Sequence, residues 1–250
     1  MLRGFYTAAA GILVQERTLD VLTNNMANAR TPGFRASRVV TTSFEHELLT
    51  RIEGANTGRI GKGVPMRRVD DVLVKFDPNS LEETGRPYDM ALDGVGYFNI
   101  QGEDGTQYLT RNGAFDVDEN NFLVLPGVGQ VLGQEGPIEL TTSDFTVEYD
   151  GTIYDALGEE IGKLLLTIPP EGTEIDQTTN GLFTVADMAA NLPVDATTQV
   201  AQKWLERNNI DLNQEYTMVI SAQRAFQACS SALQIIDKID QKAASQIAAL

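Results

Sequence analysis

The sequence predicts an α+β protein. Long N- and C-terminal helices pair as a coiled-coil-like layer, and an antiparallel β domain is inserted between them. Three observations carry this. Apolar residues recur in steps of 3 and 4 near both ends, the spacing of a helical seam. Between the ends, short apolar runs alternate with Gly, Asn and Asp, the punctuation of strands and turns. Charge follows the same division: residues 1–75 carry a net +4, residues 76–200 a net −20 and residues 201–250 none, for −16 over the 250-residue chain.

At the N-terminus the seam is Leu2, Phe5, Ala9, Ile12, Leu19, Leu22 and Met26. Thr31-Pro32-Gly33 ends it, because proline cannot continue a helix and disfavours helical geometry in the residue before it. Asn24, Asn25 and Asn28 sit just before the stop; buried, such residues fix register between helices, and at a helix end they cap it. The C-terminal seam is Val219, Ala222, Phe226, Cys229, Leu233, Ile236, Asp240, Ala243, Ile247 and Leu250, with Asp240 its one polar member. A helix over 216–250 would be about 50 Å long, and its seven-residue period asks for a helical partner. Cys229 on that seam reads as a small apolar knob, not as a nucleophile. Small residues, among them Ala8, Ala10 and Gly11, allow helices to approach closely. One helix pair leaves other faces uncovered, so further helices must bury them, either from the same chain or from neighbouring copies. Periodicity alone does not choose between these.

The domains expected are a terminal helical assembly domain of residues 1–35 with 201–250, a linking arm over 36–72 and a β-rich outer domain over 73–200. Within the arm, 44–52 reads as a short helix carrying His46 on its surface, and 58–63 as flexible. In the β domain, strands are expected within 90–94, 96–100, 107–111, 122–125, 145–149 and 163–168. Asn112-Gly113 and Asp150-Gly151 are hairpin-turn dipeptides.

Several functions are excluded or disfavoured. A chain with 35 Asp and Glu against 19 Lys and Arg is poorly suited to nucleic acid. No apolar run reaches the roughly 18 residues that span a bilayer, so direct membrane insertion is not expected. One cysteine and one histidine rule out an internal disulfide and His-pair zinc motifs. Asp116-Val117-Asp118-Glu119-Asn120 imitates a calcium loop, but Asn121 and Gly127 stand where the turn glycine and the bidentate glutamate belong. No catalytic constellation is present, so neither an enzyme, a cofactor nor a metal is expected. The start does not read as a cleaved signal: Gln15-Glu16-Arg17 follows the apolar stretch without a cleavage pattern.

Three ordered blocks resemble the bacterial flagellar rod and hook proteins. The first is Thr7-Ala8-Ala9-Ala10-Gly11, Leu19-Asp20, Asn24-Asn25-Met26-Ala27-Asn28 and Thr31-Pro32-Gly33-Phe34-Arg35. The second is the run from Thr84 to Phe98, with Thr110-Arg111-Asn112-Gly113-Ala114-Phe115. The third is Leu205-Glu206-Arg207-Asn208-Asn209-Ile210-Asp211, Met218-Val219-Ile220 and Gln223-Arg224-Ala225-Phe226. Met26 departs from the family's usual leucine, a mild apolar exchange. The resemblance implies a non-enzymatic axial subunit of the basal body that transmits torque from motor to hook, with terminal helices lining a tube and the β domain outside. It implies export by the flagellar type III apparatus without a cleaved signal. The implied partners are copies of the chain and other rod and hook proteins. A single middle domain favours the rod over the hook, the proximal rod type first and the distal type next. The competing reading is a secreted glycan-binding β module on a helical stalk, using Tyr97, Tyr108, Tyr149 or Tyr154. An enzyme built on the acidic hairpins ranks last.

Overall fold

A computed structural model describes residues 2–43, 48–53, 56–62, 67–74, 80–140, 142, 144–170, 172–173, 175–178, 181–194 and 197–247. The chain divides into two compact units. One contains residues 1–27, 37–75 and 210–250, the other 28–36 and 76–209.

The first unit holds both long helices, α1 (Leu2–Ala27) and α2 (Leu212–Ile247). Asp211 caps α2: its Oδ1 accepts the N–H of Asn213 at 2.9 Å and of Gln214 at 3.3 Å. This cap starts α2 four residues before the expected position. The helices run antiparallel, since a Cβ on Gly4 would meet Ile236 and one on Gly11 would meet Cys229. Strands β1 (Ser37–Ser43), β2 (Leu48–Glu53), β3 (Asn56–Lys62) and β4 (Arg67–Val74) complete the unit, β1 pairing with β4 and β2 with β3. The expected linking arm is therefore two antiparallel strand pairs. The helix expected over 44–52 is overturned where it can be seen, because Leu48 onward is extended; backbone pairing of β2 with β3 prevails over a weak local helical pattern. Likewise 58–62, expected to be flexible, lies in β3. His46 lies outside the described residues.

The second unit is all β. In chain order it contains β5 (Leu81–Glu83), β6 (Met90–Asp93), β7 (Tyr97–Gly102), β8 (Gln107–Thr110), β9 (Asp116–Val117), β10 (Leu123–Leu125) and β11 (Gly129–Gly133). Then follow β12 (Gly136–Pro137), β13 (Phe145–Val147), β14 (Thr152–Asp155), β15 (Glu160–Lys163), β16 (Leu166–Ile168) and β17 (Ile175–Gln177). Last come β18 (Leu182–Val185), β19 (Leu192–Pro193), β20 (Gln199–Gln202) and β21 (Trp204–Glu206). The main sheet runs β17-β18-β8-β7-β11-β10-β9, with β16 also on β7; β13-β14-β15 form a second sheet, and β6–β20 and β5–β21 are separate pairs. All these pairings are antiparallel. Alternation places Leu123, Leu125, Phe145 and Val147 inward while Val124 and Thr146 are less buried. These side chains join Phe98, Ile100, Val131 and Ile153 in one core, where Phe98 and Phe115 meet edge-to-face at 5.1 Å.

Two local expectations change. The run 163–168 is not one strand: β15 pairs with β14 and β16 with β7, so the chain changes sheets at Leu164. Asp150-Gly151 does turn the β13–β14 hairpin, with Gly151 at φ 84°. Asn112-Gly113 turns no hairpin, because the strands on either side of it, β8 and β9, pair elsewhere. Its glycine serves close approach instead: a Cβ on Gly113 would lie 1.6 Å from the Met90 carbonyl oxygen, which belongs to backbone and cannot rotate away. Gly113→Ala is expected to cost about 3 kcal/mol, read as a lower urea midpoint for the full chain.

Candidate assembly surface

The helical unit is anchored by two polar contacts on β1. Asn25 of α1, fully buried, donates from Nδ2 to the Ser37 carbonyl at 2.9 Å and accepts the Ser37 N–H on Oδ1 at 3.0 Å. Its side chain thus completes one strand residue's backbone bonding. Next to it, Arg38 forms an ion pair with Glu215 of α2, whose side chain is completely buried. Asn28 lies just past α1 and shapes the turn: its carbonyl accepts the Thr31 N–H at 3.0 Å and its Oδ1 accepts the Thr31 hydroxyl at 3.2 Å. Asn24 is half-buried. Asn25→Ala would remove both Asn25 bonds to the Ser37 backbone, whose carbonyl keeps the Arg38 guanidinium at 3.0 Å, at about 1–2 kcal/mol. The expected readout is faster hydrogen exchange at the Ser37 amide.

The seam residues divide by burial. Leu22 and Ala222 are buried; Ala9, Ile12, Leu19, Met26, Val219, Phe226, Cys229, Leu233, Ile236 and Ala243 are half-buried; Phe5 and Asp240 are exposed. The side chains of Leu2 and Ile247, and residue Leu250, lie outside the described residues. At Ile236 and Cys229 the seam meets Gly4 and Gly11 of α1; the Cys229 sulfur stands 2.9 Å from where a Cβ on Gly11 would lie, so the thiol fills the space that glycine leaves.

Beside the seam stands a second set of apolar side chains that periodicity did not single out. Tyr6 is 58% exposed, Leu13 64% and Ile235 58%, and Tyr216, Ile220 and Ile239 are also about half exposed or more. Their sequence signal is the apolar doublets Ile12-Leu13, Val219-Ile220 and Ile235-Ile236. A helix facing a single partner needs one apolar residue at each contact position; a doublet supplies a second face. Exposed apolar surface on this scale is uncommon on a chain that stands alone.

In the β unit, three segments far apart in sequence converge on one buried charge cluster. Glu206, at the end of β21, is paired with Arg35 at 2.5 Å and with Arg111 at 3.3 Å, and all three are buried. Arg111 also donates to the carbonyls of Leu92 and Gly94, at 3.3 and 2.6 Å, and lies 5.6 Å from the Tyr97 ring centroid. Burial holds the Arg111 guanidinium below the usual arginine range while Glu206 opposes the shift; burial likewise raises the Tyr97 hydroxyl. Backbone contacts tie the same segments together. Gly33 N–H donates to the Glu206 carbonyl at 2.7 Å, Ala36 N–H to Asn209 Oδ1 at 2.7 Å, and Asn208 Nδ2 to the Ala29 carbonyl at 2.5 Å. Gly33, at φ 66°, passes the Arg111 carbonyl so closely that a Cβ would lie 2.3 Å from its oxygen. None of Arg35, Arg111 and Glu206 was singled out as a site residue. The blocks 31–35, 110–115 and 205–209 are thus brought together as a clasp between the entry and exit segments of the β unit.

The acidic turn at 116–120 is closed on itself, since Asp118 Oδ1 accepts the N–H of Asn120 and of Phe122, both at 2.8 Å. Of the aromatics expected for glycan binding, Tyr97 is buried, Tyr108 and Tyr154 are half-buried and Tyr149 is exposed. No described helix is long and apolar enough to cross a membrane.

Comparison with known proteins places this architecture. The model for the D1 domain of flagellar hook protein FlgE/F/G matches residues 91–197, and the model for the C-terminal part of the flagellar basal body rod FlgEFG protein matches residues 201–247. The flagellar basal-body rod protein FlgG of Bacillus subtilis (strain 168) is 32% identical over 97% of this chain and 98% of its own. This chain belongs to the flagellar basal-body rod protein family. The rod protein is also 29% identical to the flagellar hook-basal body complex protein FlhO of the same organism, with 99% of each chain covered. It is 27% identical to the flagellar basal-body rod protein FlgF of Caulobacter vibrioides, over 97% of this chain and 96% of the other. Relatives named FlgG and FlgF both span nearly the whole rod protein. The rod protein is a structural component of the flagellar basal body.

Proposed function

We propose that this rod protein is an axial subunit that assembles helically through its terminal helices, keeps its acidic β unit outward and carries torque from motor to hook. Its partners are copies of itself and other rod and hook proteins, and it is exported through the flagellar type III apparatus. The role is structural, not catalytic. One observation carries the reading: the paired helices expose a second apolar face, whereas the unit that carries most of the negative charge buries its own core. Apolar faces gain by meeting each other, and surfaces of like charge repel, so helices pack inside and acidic units stay apart. On this reading, the helix seam and the second apolar face share the axial packing in a coiled-coil-like layer.

Leu157, at the tip of a β-unit turn, is 86% exposed and suits a test. In a chain carrying Leu157→Cys with Cys229→Ala, a thiol-linked gold label is expected to decorate the outside of the rod in isolated basal bodies. Labelled chain absent from the rod, or label confined to its lumen, would refute the arrangement.

A further inference from the structure

Two features of the helical unit are alike in being apolar and uncharged or charge-paired. Near the start of α1, Phe5 and Tyr6 stand edge-to-face, with ring centroids 6.0 Å apart and planes at 86°. Both rings are exposed, and the helix has no charged side chain from Gly4 to Gln15. Further along, α1, α2 and β1 enclose a groove of about 420 Å³ lined by Val21, Leu22, Arg38, Met218, Ala222 and Ala225. The one charge among these six, on Arg38, is already paired with Glu215. Such a groove takes an uncharged, apolar occupant, since a buried charge there would lack a partner.

We propose that the Phe5–Tyr6 pair of one copy seats in this groove on the next copy. The inference rests on the helical-assembly reading and names its contact. A knob and groove on one molecule cannot satisfy each other: Tyr6 and Val21 lie on the same helix, about 20 Å apart along its axis at 1.5 Å per residue. The acidic stretch 76–200, with its net −20, is a poor occupant. The uncharged start of α1 pairs two adjacent exposed rings, and aromatic side chains are enriched among interface anchors. The groove is held ready by the Asn25–Ser37 and Arg38–Glu215 contacts, which lowers the ordering cost of binding. Because knob and groove are different patches, the contact is head-to-tail, the geometry that propagates into a helical filament.

The test uses the full chain in cells that lack the native copy. The variant carries Tyr6→Cys and Ser221→Cys, the latter at a groove-lining residue, with Cys229→Ala to remove the native thiol. Oxidation of isolated basal bodies is expected to give a ladder at multiples of the 27.3 kDa chain, absent from each single-cysteine variant. Rods that contain the double variant but give no ladder would overturn this contact and leave helical assembly standing. If the double variant fails to enter rods, a size exchange decides. Tyr6→Ala is expected to lower the chain's content in basal bodies about tenfold, and Ala225→Phe, which fills the groove, to restore much of it. Unchanged content with Tyr6→Ala, or no restoration, would overturn the proposal.

Discussion

Glu206→Gln is expected to lower the melting temperature of the β unit by about 10 °C. Glu206 is the carboxylate on which both Arg35 and Arg111 converge, and all three side chains are nearly free of solvent. Glutamine keeps the shape and a hydrogen-bond acceptor but removes the negative charge. Two guanidiniums then face each other in a poorly solvated space. Arg111 retains the carbonyls of Leu92 and Gly94 and the Tyr97 ring, whereas Arg35 loses its carboxylate. Breaking a buried pair by removing one partner costs about 3–5 kcal/mol, and a unit of this size loses roughly 2–4 °C per kcal/mol. Circular dichroism of the full chain through thermal unfolding measures the shift. Glu206→Gln combined with Arg35→Gln should be less damaging than the two single changes added together, because the second removes a charge that the first has orphaned. A Glu206→Gln chain that melts with the wild type would show that the cluster is solvated and contributes little.

Phe226→Asp and Leu233→Asp have the largest expected effect on assembly. Both residues are half-buried on α2, on the seam that meets α1 at Cys229 and Ile236. A carboxylate at either position must be desolvated without a partner or must push the helices apart. Each variant is expected to cut the amount of chain in isolated basal bodies by more than about tenfold, while the β unit, whose core contains neither residue, keeps its melting transition. Quantitative blotting of basal bodies and thermal unfolding of the purified chain provide the two measurements. Normal incorporation of both variants would remove the helices from the assembly mechanism. Loss of both incorporation and the β-unit transition would assign the effect to global unfolding.

How legible the helix packing is in the sequence differs between residues. Phe226, Cys229 and Leu233 were marked by spacing alone, since a helix returns every 3.6 residues to the same face whatever lies against it. Leu13, Ile220 and Ile235 were passed over although they are as apolar. One narrow seam uses a single residue of each doublet and leaves its neighbour on a second face. Asn25 was noticed, but its role was not predictable, because its partner is the backbone of Ser37, twelve residues on in a strand whose path no local pattern reveals. Residues 48–52 are extended where a short helix is expected, for a related reason: a short stretch with mixed propensity takes its conformation from the strand it pairs with.

By itself the amino-acid sequence determined the two terminal helices, the β-rich middle, the separation of charge and the family to which the chain belongs. Each of these is written in neighbouring residues or in ordered blocks along the chain. Only the tertiary structure decided that Arg35, Arg111 and Glu206 form one cluster, that Gly113 serves close approach instead of a turn, and that α2 lies antiparallel to α1 with Cys229 on Gly11. Those facts depend on which distant segments meet. Burial then fixes their energies, since removing water makes an ion pair or a missing Cβ matter far more than either would on an open surface.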